Sequence, residues 1–248
     1  MFDQSAQGWT MGGGAGSAIA VNGAPNAGGT LLVAAGGGGA AGLTEHSRHA
    51  TISWNYVSAT GGNGGTAGSG DGQQFTVTYV KGQVNGFGGK GAQGAIGGAA
   101  GAGGSHTVAS PRVARAAAGS NGGNNGTGNF GGGDGGDPVR LTTEMSVHHH
   151  LSMSSAAGGG GYAGGGSSGL QHVGADDLIY GSAGLLGRNA IAGTFGGGGA
   201  GSNFVGGSTA CVSVVNPTQS TAGNGGRKTA NQGNGGPGQV TISYSVPL

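Results

Sequence analysis

Short islands in which apolar and polar residues alternate are set into this chain between long stretches with almost no side chains. In residues 51–57, Ile52, Trp54 and Tyr56 alternate with Thr51, Ser53 and Asn55. In residues 74–80, Phe75, Val77 and Tyr79 alternate with Gln74, Thr76 and Thr78, and in 240–246 Val240, Ile242, Tyr244 and Val246 alternate with Thr241, Ser243 and Ser245. Successive side chains of a strand point to opposite faces, so each island predicts a half-buried antiparallel strand. The longest alternating run, 139–153, sets Val139, Leu141, Met145, Val147, Leu151 and Met153 against Arg140, Thr142, Glu144, Ser146, His148, His150 and Ser152.

Near the start, residues 18–22 and 30–35 are two further strand candidates. The segment NGAPNAGG joins them and carries an Asn-Gly turn signal. Because Leu31, Leu32 and Val33 are consecutive, the second of these reads as buried on both faces. No window has convincing helical spacing with caps. The run 113–118 allows a turn or two of helix at most, without a start or stop signal.

Between the islands lies glycine, 68 of 248 residues, and much of it steps by threes. Gly88, Gly91, Gly94 and Gly97 keep that step, as do Gly62, Gly65 and Gly68, Gly158, Gly161 and Gly164, Gly181, Gly184 and Gly187, and Gly193, Gly196 and Gly199. A polyproline II helix has three residues per turn, so such a spacing lines one face with glycine and lets neighbouring backbones approach. Backbone N–H groups can then bond to carbonyls of adjacent helices. The fold class expected is therefore mostly β plus polyglycine II helices, packed as a glycine-helix lattice with short antiparallel strands and almost no α-helix. Residues 1–248 read as a single glycine-rich domain. Ordering that much glycine costs backbone entropy, which dense hydrogen bonding between tracts must offset.

Charged residues make up only 7% of the chain and the formal net charge is +1, so the high charge that accompanies intrinsic disorder is missing. The nine basic residues are scattered, which argues against a nucleic-acid partner. One cysteine, Cys211, reads as a small apolar group in its run and cannot form an intrachain disulfide. No stretch approaches the ~20 apolar residues of a membrane helix, so membrane insertion is not expected. The opening MFDQSAQGWTMGGG has neither a basic leader nor an apolar signal core, so export by an ordinary signal peptide is not expected of the chain as written. A processed piece of a longer protein and release by lysis both fit.

The segment TLLVAAGGGGAAG at 30–42, preceded by GGGAGSAIAVNG at 12–23, resembles the opening of the extracellular glycine-rich domain of the anaplastic lymphoma and leukocyte receptor tyrosine kinases. Glycine-rich modules of microbial surface proteins look similar. FGGGDGG at 130–136, GGGGYAGGG at 158–166 and the closing GNGGPGQVTISY at 233–244 extend the resemblance over nearly the whole chain, although the cysteines of the receptor domains are absent. The design is also similar to that of tail-fibre tip adhesins of T-even-like phages, in which polyglycine helices form a brick with receptor-touching loops at one end. The resemblance implies a non-catalytic scaffold that recognises through loops, placed outside the cell or on a virion surface. Springtail antifreeze proteins share the triplet glycine but not strand islands of this length.

Candidate chemistry is sparse. Gly164, Gly166 and Gly169 fit G-x-G-x-x-G, but this glycine frequency produces chance matches and no helix follows to hold a phosphate. GGDGGDPVR at 132–140 fits one copy of a calcium-binding nonapeptide, with Asp137 in the acidic position and Asp134 nearby, yet no tandem copy adjoins it, so it reads as a turn with calcium the alternative. His148 and His150 would share a strand face and could chelate a metal, against a plain polar face, with His149 pointing away. Asp176 and Asp177 diverge as neighbours on a strand, and no serine is marked as activated by a base. No catalytic residue, cofactor or metal is therefore assigned, and an enzyme is not expected.

Three functions remain. An adhesin or receptor-binding module would offer Trp54, Tyr56, Tyr79, Phe87, His46 and His49, from islands 43–60 and 73–87, to a cell-surface receptor or glycan, with a plain loop the favoured reading for the two histidines. Rigidly held aromatics lose little entropy on binding, although strand alternation equally allows them to be core. A self-assembling subunit of an extracellular filament, sheath or virion surface would pair with copies of itself through exposed strand edges. Ice binding through flat, regular faces fits the irregular islands least.

Overall fold

The fold was obtained as a computed structural model that describes residues 5–7, 12–47, 57–59, 70–79, 81–126, 132–146, 149–175, 190–206, 223, 225–226 and 233–243. Its strands form four small sheets. A five-stranded sheet runs β5 (Val57–Ala59), β4 (Gly42–Ser47), β13 (Ala190–Phe195), β12 (Leu170–Ala175), β9 (Val113–Ala117), with every pairing antiparallel. One three-stranded sheet is β1 (Ser5–Gln7), β11 (His149–Ser154), β10 (Arg140–Ser146), and another is β6 (Phe75–Tyr79), β7 (Gly82–Gly86), β8 (Ser105–His106). The last is β14 (Phe204–Val205), β3 (Thr30–Ala35), β2 (Ser17–Val21). The one helical turn among the described residues is a 3-10 turn at Pro25–Ala27.

Three of the sheets stack. On one face of the five-stranded sheet, Val173, Ala175 and Ala192 meet Val77, Tyr79 and Val84 of the β6–β7 hairpin together with Val108. On the other face Leu170, Ile191 and Phe195 meet Leu151 and Met153 of β11, with Val139 and Leu141 at the margin. Burying side chains of this size contributes roughly 1.5–3 kcal/mol each, and makes these two seams the side-chain core. The island 74–80 thus becomes β6 with the predicted faces: Val77 and Tyr79 inside, Thr76 and Thr78 outside.

Beyond the strands the glycine tracts bond to each other with a period of three. In 164–169 the N–H groups of Gly164 and Ser167 donate to Gly123 and Ser120, those of Gly165 and Ser168 to Gly159 and Ala156, and those of Gly166 and Gly169 to Lys90 and Phe87, all at 2.8–2.9 Å. Residues 197–202 repeat the scheme: Gly197 and Ala200 donate to Gln73 and Gly70, Gly198 and Gly201 to Ala40 and Gly37, and Gly199 and Ser202 to Gly166 and Ala163. Each tract therefore serves three neighbours in rotation, and both are buried throughout. Glycine is required there for space. Neither tract contains a left-handed residue, yet a Cβ on Gly165 would run into the Gly199 carbonyl and one on Gly198 into the Ala157 carbonyl.

Where a tract lacks a neighbouring carbonyl, a side chain supplies one. Asn121 and Asn124, three apart, accept from the N–H groups of Ala100 and Gly97, also three apart, at 2.8 and 2.9 Å. Asp71 accepts from Gly91 N–H and pairs with Lys90 Nζ at 2.8 Å. Partial burial opposes its charge, but these two donors outweigh burial and hold its carboxyl below the ordinary value.

Four expectations are corrected. The run 139–153 is not one strand but two, β10 and β11, paired with each other so that Ser146 faces His149 with only residues 147 and 148 between them. The run 113–118 is strand β9, because its backbone is taken up by β12. In the closing island, residues 240–243 join no ladder and Ile242 is 60% exposed; the preceding residues are held instead by single bonds such as Gly238 N–H to the Ala15 carbonyl. Strand β3 is buried at Leu32, Ala34 and Ala35 but only half-buried at Leu31 and Val33, so one of its faces is partly open. Its hairpin with β2 does form, and Asn22 and Gly23 both take positive φ in the connection, which the Asn-Gly signal anticipates.

Candidate functional site

Chain direction fixes which loops share an end. The tract 36–41 leaves β3 and enters β4, and the tract 196–202 leaves β13 and enters β14, so the two connect the β14–β3–β2 sheet and the stacked sheets in opposite directions. Ser202 therefore marks the β14–β3–β2 end. Its N–H reaches Ala163 and its Oγ donates to the Gly94 carbonyl at 2.6 Å, which brings the turn 93–96 to the same end. Asn125 N–H donates to Ala95, and Gly133 and Gly161 bond reciprocally, so the turn at 125–126 and the segment 132–134 gather there too.

Between this sheet and the tract ends lies a cleft of about 700 Å³. Ala18 and Ala20 of β2 and Leu31 and Ala34 of β3 form an apolar wall, and Asp134 and Tyr162 are the ionisable residues lining it. Tyr162 is held by its N–H to the Ser202 carbonyl at 3.0 Å and by stacking on Phe204, with ring centroids 4.5 Å apart. Asp134 is pinned through its backbone, whose carbonyl accepts from Gly123 at 2.8 Å. Beside the cleft, the turn at 93–96 is closed by two bonds between Gln93 and Ile96 and leaves Ile96 68% exposed.

The anticipated binding residues are distributed differently. Trp54, Tyr56 and His49 lie outside the described residues, and His46 is placed only by its backbone, opposite Ala192 in β4. Tyr79 is a core residue, 3% exposed, because the alternation that marks β6 turns it into the seam against β12 and β13. Phe87 is half-buried where a tract begins, its carbonyl accepting from Gly169. Of the six, the structure places the side chains of Tyr79 and Phe87 alone. His148, Asp176, Asp177 and Cys211 also lie outside the described residues. Asp137 is exposed, and no group of three His, Cys, Asp or Glu suited to a metal occurs among the described residues.

Sequence reasoning passed over Tyr162, Phe204 and Ile96 as contact residues. Tyr162 carried a usable signal: an aromatic inside GGGGYAGGG has no space among closely packed glycines and must project from an end or edge.

A buried titratable group sits away from the cleft. His172 of β12 is fully buried, its Nδ1 lies 3.0 Å from Thr143 Oγ1, and its Nε2 has no partner. Burial, assisted by the nearby Arg115 charge, lowers its pKa to about 3, so it packs as a neutral ring. Compared with protein-family models, with curated proteins and with solved structures, the chain finds no match. No helix among the described residues is long and apolar enough to cross a membrane.

Proposed function

We propose that the chain is a non-enzymatic surface module in which packed polyglycine II helices form a rigid scaffold that presents loops to a cell-surface receptor or glycan, outside the cell or on a virion. The observation that carries this reading is the three-neighbour rotation of hydrogen bonds along 164–169 and 197–202. A helix with three residues per turn directs successive N–H groups to three sides, which is the pattern these tracts follow. A frame tied in three directions loses little entropy when its ends bind, and the turns at 93–96 and 125–126 and the cleft beside Tyr162 emerge together at one of those ends. Recognition is therefore assigned first to that end.

A second reading, a self-assembling subunit of a filament, sheath or virion surface, draws on the edge positions of β2 and β14 and on the exposed Ile242. Size-exclusion chromatography with negative-stain microscopy, followed by cell labelling with the fluorescent protein, tests both. A monomer or small oligomer that labels cells is expected; fibres or shells that label none would replace recognition by assembly.

A further inference from the structure

The cleft at the β14–β3–β2 end is lined by Ala18, Ala20, Leu31 and Ala34 and by a single carboxylate, that of Asp134. Three carbonyls of the tracts that line it are already engaged: that of Gly160 accepts from Gly37, that of Gly161 from Gly133, and that of Gly133 from Gly161. Ligands rich in hydroxyls need free acceptors and donors on the wall, and these backbone groups are spent inside the fold. Asp134 differs from the other aspartate at a tract edge. Asp71 is paired with Lys90 and with Gly91 N–H, whereas the exposed carboxylate of Asp134 has no ion pair or side-chain hydrogen bond among the described residues. An apolar trough whose lining includes one unpaired anion and a ring fixed by stacking is complementary to an aliphatic stem that ends in a cation.

We propose that the cleft takes a lysine or arginine side chain from a polypeptide partner, the stem lying along Ala18 and Ala20 and the cation meeting Asp134. This rests on the recognition reading and narrows its partner to protein. The test uses the full chain labelled with 13C at alanine methyls, titrated with Nα-acetyl-lysine methylamide and separately with the norleucine analogue, which has the stem without the charge. Saturable shifts at Ala18 and Ala20 with the lysine probe are expected. Asp134→Asn should weaken them about threefold, as for an exposed ion pair, and added salt should weaken them in the unaltered protein. Equal binding of the norleucine probe, indifference to both Asp134→Asn and salt, or saturation by a neutral disaccharide instead of the lysine probe would each overturn the proposal. If the lysine probe fails while the protein still labels cells, only this inference falls; if the protein forms fibres and labels none, the recognition reading falls whatever the probe does.

Discussion

Residues 164–169 and residues 191–195 are equally shut off from water, yet they are buried by different means. Strand β13 sends Ile191 and Phe195 into one seam and Ala192 into the other, and its backbone bonds only within the plane of its sheet. The tract has almost no side chains to bury and spends its backbone in three directions instead. Side-chain packing tolerates adjustment because a side chain can change rotamer. Backbone packed against backbone has no such freedom, since what lies opposite each glycine is a carbonyl already holding a tract together. The same substitution should therefore be judged differently in the two regions.

Glycine to alanine makes the sharpest test. In Gly165→Ala the new methyl meets the carbonyl carbon and oxygen of Gly199 and must push apart two tracts joined by the Gly199-to-Gly166 and Ser202-to-Ala163 bonds. Overpacking together with one or two strained buried hydrogen bonds should cost about 5 kcal/mol. In Gly193→Ala the methyl meets only side chains, Met153 Sδ first and then His172 and Leu151. Methionine can move aside, so about 2 kcal/mol is expected there. Denaturant midpoints of the two variants measure the difference, and equal losses would dissolve the distinction between the regions.

Acid should act on the layered region first. His172 has a folded pKa of about 3 against an ordinary 6.5, so the unfolded chain binds the extra proton between those values. The stabilisation from its neutral burial is complete above pH 6.5 and is lost as pH falls toward 3, at up to about 1.4 kcal/mol per unit, or about 3 kcal/mol by pH 4. The tracts 164–169 and 197–202 carry no ionisable side chain and have no such dependence of their own. Urea titrations at several pH values on the native chain and on His172→Leu should show a steeper acid loss in the native chain. Parallel slopes would remove His172 as the cause.

The legible part of the sequence was whatever has a fixed local period. Strand β6 was readable because Phe75, Val77 and Tyr79 sit at steps of two, and the β2–β3 hairpin because Asn22-Gly23 supplies positive φ. The absence of α-helix among the described residues agrees with the absence of helical spacing, and small antiparallel sheets dominate there. What failed depended on contacts between distant residues. Polar residues interrupt the alternation at Thr143, inside β10, as well as at His149, so the break at the histidines did not by itself mark a turn, and only pairing reveals that β10 and β11 fold back. Alanine-rich Val113–Ala117 has no strong preference, and β12 decides it. Tyr79 was offered to a ligand when the same alternation had already assigned it to the core. The cleft was illegible because its wall is mostly alanine and its lining combines residues far apart in the sequence, Ala18 with Asp134 and Tyr162.

The smallest effect falls at the exposed edge of the tracts, where side chains replace missing backbone carbonyls. Asn121→Ala removes the acceptor of Ala100 N–H, and because the site is exposed, water can take its place. A loss of about 0.5–1 kcal/mol is expected, well below that of Gly165→Ala. Hydrogen exchange is the more discriminating readout. If Asn121 and Asn124 act as stand-ins for a neighbouring tract, Asn121→Ala should speed exchange at Ala100 while Gly97, still held by Asn124, stays protected. Loss of protection at both would mean that the edge unzips as a unit, and that the tract depends on its outer side chains as strongly as on its buried backbone.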